Sequence, residues 1–113
     1  MQEFVFIFRS APGNTDNLSE EELNAYYGRW RTWFEKLNGE GKYVSGERLM
    51  DEDANVLSGE EKVITDGPYA ESKELVGGIA KIKAENIKEA VEIAKDCPIY
   101  KTGGSVEVRR NYT

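Results

Sequence analysis

Asp66 is the side chain best placed by its neighbours to handle a proton. It opens the run Asp66-Gly67-Pro68. In such a run Asp bonds its own backbone two residues on, Gly supplies a positive φ, and Pro fixes φ near about −65°. A turn of this kind can hold a carboxylate at the mouth of a cleft as a general acid or base. It can equally use the carboxylate only to brace the turn, and both readings stand. Tyr69 offers a phenolic hydrogen bond to a ligand, although core packing is the commoner role of such a tyrosine. Gly77-Gly78 then interrupts an apolar run. Two glycines weaken a strand, so something must approach the backbone there. Gly67, Pro68, Tyr69, Gly77 and Gly78 read either as the wall of a pocket or as a tight hairpin under a helix. Lys81 and Glu107, with Ser105 and Arg109, would share the sheet face away from the helices. If partly desolvated, Lys81 and Glu107 are an acid–base or anchoring pair. If they sit at a rim, they are a cross-strand ion pair of little worth.

Other chemistries find less support. Gly77-Gly78 lacks the G-x-G-x-x-G spacing, and no helix follows it directly, which argues against nucleotide binding. The chain has no histidine and one cysteine, Cys97. The cluster Asp51-Glu52-Asp53 has oxygen ligands without EF-hand spacing or its glycine. No metal and no cofactor is expected. Cys97 has no histidine partner and reads as a small buried residue. The net charge of −6 disfavours nucleic acid and anionic membrane as partners. The apolar run Phe4 to Phe8 has no basic start and is too short for a signal peptide or a span. These features lead to the expectation of a cytoplasmic protein forming one domain over residues 1–113.

The elements that must position these residues follow from pattern. Phe4 to Phe8 is a strand, with Phe4, Phe6 and Phe8 on one face and Val5 and Ile7 on the other. Residues 10–18 are loop. Ser19 and Glu22 form a capping box, and a helix runs to about Leu37. Leu23, Tyr26, Tyr27, Trp30, Phe34 and Leu37 make its apolar stripe. Trp33 falls off the centre of that stripe, at its edge or against a second chain. Tyr43 to Met50 is a strand interrupted by Gly46, and Asp51 to Asn55 is a polar loop. Glu61 to Thr65 is a short strand, and Leu75 to Ala84 a long one. On the long strand Val76, Gly78, Ala80 and Ile82 oppose Leu75, Gly77, Ile79, Lys81 and Lys83. Asn86 and Glu89 cap a second helix lined inside by Ile87, Ala90, Val91 and Ala94. Gly103-Gly104 leads into a last strand, Ser105 to Arg110. This order is that of an α+β, ferredoxin-like βαββαβ fold, an antiparallel sheet with both helices on one face. The bare apolar face would be hidden by a second copy, so a homodimer enclosing a cleft is expected.

The run Val63-Ile64-Thr65-Asp66-Gly67-Pro68-Tyr69-Ala70-Glu71-Ser72-Lys73-Glu74 resembles the signature of DGPF-domain proteins, within the larger YCII-related group. Gly77-Gly78, Cys97-Pro98 and Gly104 to Arg109 match the remaining landmarks, and the likeness spans nearly the whole chain. Tyr69 stands in place of the usual phenylalanine. The resemblance implies a dimeric α+β barrel. Many members of the group pair a histidine with an aspartate in the cleft. Counting back from Gly41, Trp30 stands where that histidine would fall, and Asp66 matches the acid. A His–Asp proton transfer is therefore excluded here. Some DGPF proteins occur near or fused to alternative sigma factors, which implies a regulatory or sensing role.

Three functions follow, in this order. The first is small-molecule binding or sensing, linked to transcription control, with Trp30, Gly67, Pro68, Tyr69, Gly77, Gly78, Lys81 and Glu107 at the ligand. The second is a cofactor-independent isomerase or lyase using Asp66, assisted by Glu107 or Lys81. The third is a protein-interaction module without a ligand.

Overall fold

Phenylalanine at every second position of the first strand decides which side of the sheet is buried. The structure, a computed structural model, describes residues 1–67 and 75–112. Strand β1 runs Gln2–Ser10, with Phe4, Phe6 and Phe8 buried. Val5 and Ile7 alternate to the other face and are only half-buried.

Helix α1, Glu20–Gly39, roofs the phenylalanines. Its capping box is reciprocal. The Ser19 hydroxyl accepts from the Glu22 N–H, and the Glu22 carboxylate accepts from the Ser19 N–H, both at 3.1 Å. The bond from the Ser19 N–H holds the Glu22 carboxyl below its ordinary value. The buried face of α1 is Tyr26, Trp33 and Leu37. Trp33 thus lies at the centre of the interface and not at its edge. The physical reason is area: its indole stacks on Phe6 (6.3 Å between centroids) and meets Phe8 edge-on (6.1 Å). The largest side chain covers the largest opposing surface. The helix is rotated accordingly, and Trp30 moves to the half-buried flank.

The chain continues as β2 (Tyr43–Arg48), β3 (Asn55–Ser58), β4 (Val63–Asp66) and β5 (Leu75–Ala84). Helix α2 (Ile87–Lys95), a 3-10 turn (Pro98–Thr102) and β6 (Ser105–Arg110) complete it. The main sheet has the order β2-β5-β1-β6, every pair antiparallel. Residues of both helices join the cluster on the phenylalanine side. This is the ferredoxin-like α+β arrangement that the element order implies.

Helix α2 differs from expectation in which residues face inward. Ala90 and Ala94 are buried and Ile93 packs beside them, whereas Ile87 and Val91 are exposed. The small pair lets the helix settle close to the sheet, which centres the interface on the alanines. Its cap is half a box. Asn86 accepts from the Glu89 N–H at 2.9 Å, but the Glu89 carboxylate takes the N–H of Glu85.

Strands β3 and β4 pair only with each other and touch no other strand or helix among the described residues. Strand β3 begins at Asn55, where a loop was expected. The pair forms an arm with Leu57, Val63 and Ile64 exposed. A lone two-stranded hairpin is marginal in water, so this arm lacks the packing that would stabilise it.

Gly77 and Gly78 have different roles. Phe8 faces Gly78 and Arg9 faces Val76, which leaves Gly77 as the extra residue of a bulge. The bulge breaks the alternation read from sequence, and Leu75 turns inward beside Ser10 and is buried. A Cβ on Gly78 would stand 2.7 Å from the carbonyl oxygen of Glu47, while one on Gly77 meets nothing within 4 Å. The close approach is therefore made at Gly78, by the backbone of β2.

The core also holds Cys97, whose thiol burial pushes up to about 12 from its ordinary 9.0. A thiol neutral at physiological pH is no nucleophile.

Two outcomes test this packing. Gly78→Ala should cost about 1–3 kcal/mol in urea unfolding, whereas Gly77→Ala should stay within about 0.5 kcal/mol of the parent. Equal costs would contradict the assignment. For Cys97, the unfolded thiol ionises above pH 9.0 while the folded one stays neutral to about 12. Its stabilisation is complete below that window and is lost through it, at up to about 1.4 kcal/mol per pH unit. The stability difference between the parent and Cys97→Ala should therefore shrink from pH 8.5 towards about 10.5. A constant difference would contradict the burial of the thiol.

Candidate functional site

The aromatic stripe of α1 outruns the row of phenylalanines beneath it. Phe8 is the last of that row, yet Tyr26, Tyr27 and Trp30 continue towards the helix N-terminus. With no further large side chain from β1 to fill against, these rings border space. A cavity of about 870 Å³ lies there, walled by Phe8, Tyr26, Tyr27, Trp30, Phe34 and Tyr43. It is a half-open groove whose volume falls in the range of small-molecule sites, aromatic on one wall and polar at the rim.

Trp30 is the hub of this wall. Phe8 meets it edge-on at 5.1 Å, and Phe34 stacks on it at 5.9 Å. Tyr43 in turn packs edge-on against Phe34 at 5.5 Å. Contacts of this geometry fix ring orientations without filling the space in front of them. The bulge glycine Gly77, with Gly78 and Leu75, forms the β5 side.

The rim comes from the loop after β1 and from the end of β2. The loop is pinned by Thr102, whose hydroxyl donates to the Ile99 carbonyl at 3.0 Å. With that proton committed, the Thr102 oxygen accepts from the Asn14 amide at 3.0 Å and from the Tyr26 hydroxyl at 3.1 Å. One hydroxyl thus uses its donor and both lone pairs to tie the loop, α1 and the 3-10 turn together. Opposite, Arg48 donates from Nη2 to the Tyr27 hydroxyl at 3.0 Å, and its guanidinium lies 5.0 Å from the Tyr27 ring centroid.

The residues singled out in the sequence fall in three places. Trp30, Gly77 and Gly78 line the cavity. Asp66 and Gly67 lie at the base of the arm, where Asp66 pairs with Asn55, and neither lines the cavity. Asp66 closes β4 and is exposed; Gly67 has φ +78° and donates to the Ala54 carbonyl at 2.8 Å. Lys81 and Glu107 lie on the open sheet face and are not brought together. Lys81 faces Val5 and Glu107 faces Ile7, with β1 between their strands. Glu107 pairs instead with Arg9 at 3.0 Å and approaches Arg109 at 3.9 Å. These partly exposed pairs contribute about 0–1 kcal/mol each. Pro68 and Tyr69 lie outside the described residues.

Tyr26, Tyr27, Tyr43 and Arg48 were not singled out, although they shape the cavity. A signal for the first two exists. Tyr26, Tyr27 and Trp30 crowd one turn of helix, more ring area than one strand can roof. No local signal marks Arg48. Among the described residues no three of His, Cys, Asp and Glu are grouped to hold a metal, and no helix is long and apolar enough to cross a membrane.

Comparison with known proteins bears on fold and family. No curated protein matches the chain. A solved structure similar over 98% of this chain and 93% of its own is TftG, the 5-chloro-2-hydroxyhydroquinone dehydrochlorinase of Burkholderia phenoliruptrix AC1100, in complex with 2,5-dihydroxybenzoquinone. The TM-score is 0.56 at 16% identity, a likeness of fold. The model of the YCII-related domain matches residues 4–111, and with nearly its whole length covered the chain belongs to that family.

Proposed function

We propose that this YCII-related protein binds a small, flat organic molecule in the aromatic cavity beside Trp30 and acts as a sensor of that molecule. The observation that carries the reading is the wall of six rings around about 870 Å³ in a chain with no histidine. Rings supply binding area at low entropic cost, and two of the three phenols among them are already engaged, Tyr26 with Thr102 and Tyr27 with Arg48. The regulatory part, including a sigma-factor link and membership of the DGPF subgroup, rests on the resemblance of Val63 to Glu74 alone.

A second reading has its own support. TftG is a dehydrochlorinase and was solved with a ring-shaped ligand, 2,5-dihydroxybenzoquinone. In that reading the chain is a cofactor-independent lyase or isomerase with Asp66 as acid or base. Asp66 stands at the base of the arm and does not line the cavity of its own chain, so in this reading it serves the cavity of another copy.

Such a copy is part of the proposal. Leu57, Val63 and Ile64 on the arm are exposed, as is Ile79 on the open sheet face. Charge permits a fit between the two surfaces: Asp51, Glu52, Asp53, Glu60, Glu61 and Asp66 outnumber Lys62 along the arm, while on the sheet face Arg9, Lys81, Lys83 and Arg109 slightly outnumber Glu3, Glu47 and Glu107. The arm of one copy lies against the sheet of its partner in this reading, and both apolar surfaces are covered.

Two experiments test these points. A thermal-shift screen of small aromatic metabolites should find a compound that raises Tm by about 10 °C at a hundredfold excess over Kd. The gain should persist in Trp30→Phe and vanish in Trp30→Ala, each against its own unliganded baseline. No stabilisation by any ring compound would end the sensor reading, and turnover of a hit that is lost in Asp66→Asn would favour the enzyme. In sedimentation velocity at micromolar concentration the parent should run as a dimer and Ile64→Asp as a lone chain. A monomeric parent would remove the role given to the arm.

A further inference from the structure

We propose that Arg48 anchors an acidic group, a carboxylate or an ionised phenol, on the ring bound in the aromatic cavity. The inference rests on the reading of the cavity as a ligand site and adds the charge class of the ligand. Register places Arg48 where it can do this. It faces Gly78 across β2 and β5, on the side that carries the helices, whereas its neighbour Glu47 faces Ile79 and alternates to the open sheet face. Gly78, which faces Arg48, adds no side chain on that side of β5.

The guanidinium is also oriented. One N–H is spent on the Tyr27 hydroxyl at 3.0 Å, and the group sits 5.0 Å from the Tyr27 ring centroid. Of its five N–H donors the remaining four form a planar fork suited to two oxygens on one group. Among the described residues Arg48 is in no ion pair, and it is the one basic side chain that lines the cavity.

Acids also border the cavity: Asp16, Glu47, Asp51 and Glu52. All four are exposed. Four exposed carboxylates, each about 8 Å from a bound anion, together weaken it by about fourfold at physiological salt. A bidentate charge-assisted pair made at contact, discounted for the exposure of Arg48, strengthens it by about tenfold. The local pair therefore outweighs the diffuse field, and the acids at the rim trim the affinity without reversing its sign.

Three probes with one ring and different charge test this: benzoate, benzamide and benzylamine, titrated calorimetrically into the parent and into Arg48→Gln and Arg48→Lys. Arg48 is exposed, so these variants keep the fold. The parent should take benzoate about two- to threefold more tightly than benzamide, and benzylamine most weakly. Arg48→Gln should abolish the preference for benzoate and leave benzamide unchanged, with Arg48→Lys between because it lacks the fork. Tightest binding by benzylamine, or unaltered benzoate binding in Arg48→Gln, would overturn the anchor and leave the cavity reading intact. Failure of all three probes in the parent would overturn both.

Discussion

The structure depends on covering three phenylalanines. Phe4, Phe6 and Phe8 make one side of the central strand almost wholly ring, and only a helix with its own large aromatics can exclude water from it. Trp33 does this over Phe6 and Phe8, and Leu37 continues the cover. The row from Phe4 to Phe8 spans about 13 Å of extended strand. The stripe from Tyr26 to Leu37 spans about 16 Å of helix. The helix therefore overhangs the strand, and the overhang is aromatic. The cavity lies beside this surplus, with the bulge glycine Gly77 on its β5 side.

Much of the fold was legible because its determinants are local. Alternation along β1, the capping box at Ser19 and the glycines before β6 each depend on residues within a turn or a strand. The order of elements then leaves few topologies. What was not legible depends on contacts between distant segments. Trp33 takes the centre of the interface because of what lies on β1. Ile87 faces water because Ala90 and Ala94 sit closer to the sheet. Leu75 turns inward because Gly77 is skipped in the pairing with β1. None of these can be read from one segment alone.

The candidate site divides in the same way. Trp30, Gly77 and Gly78 meet because each belongs to an element whose path is set by the core. Asp66 does not join them, because turn chemistry fixes a carboxylate at the foot of a hairpin without saying which surface lies beside it. Lys81 and Glu107 occupy alternate positions of the sheet as expected, yet an intervening strand keeps them apart and Arg9 claims the acid. The chain thus separates its functions by surface. The helix side carries an aromatic cavity, the open sheet face carries charge over a thin apolar band, and the arm carries exposed aliphatic and acidic residues.

The central claim is that the space beside Trp30, and no other part of the molecule, receives a ligand. The chain has two tryptophans, one at the cavity and one in the core. Indole N–H resonances of ¹⁵N-labelled protein therefore report on the two places separately. On titration with benzoate the Trp30 signal should move and saturate, while the Trp33 signal stays in place. A fixed Trp30 signal, with changes confined to backbone amides of the open sheet face around Lys81 and Glu107, would contradict the account.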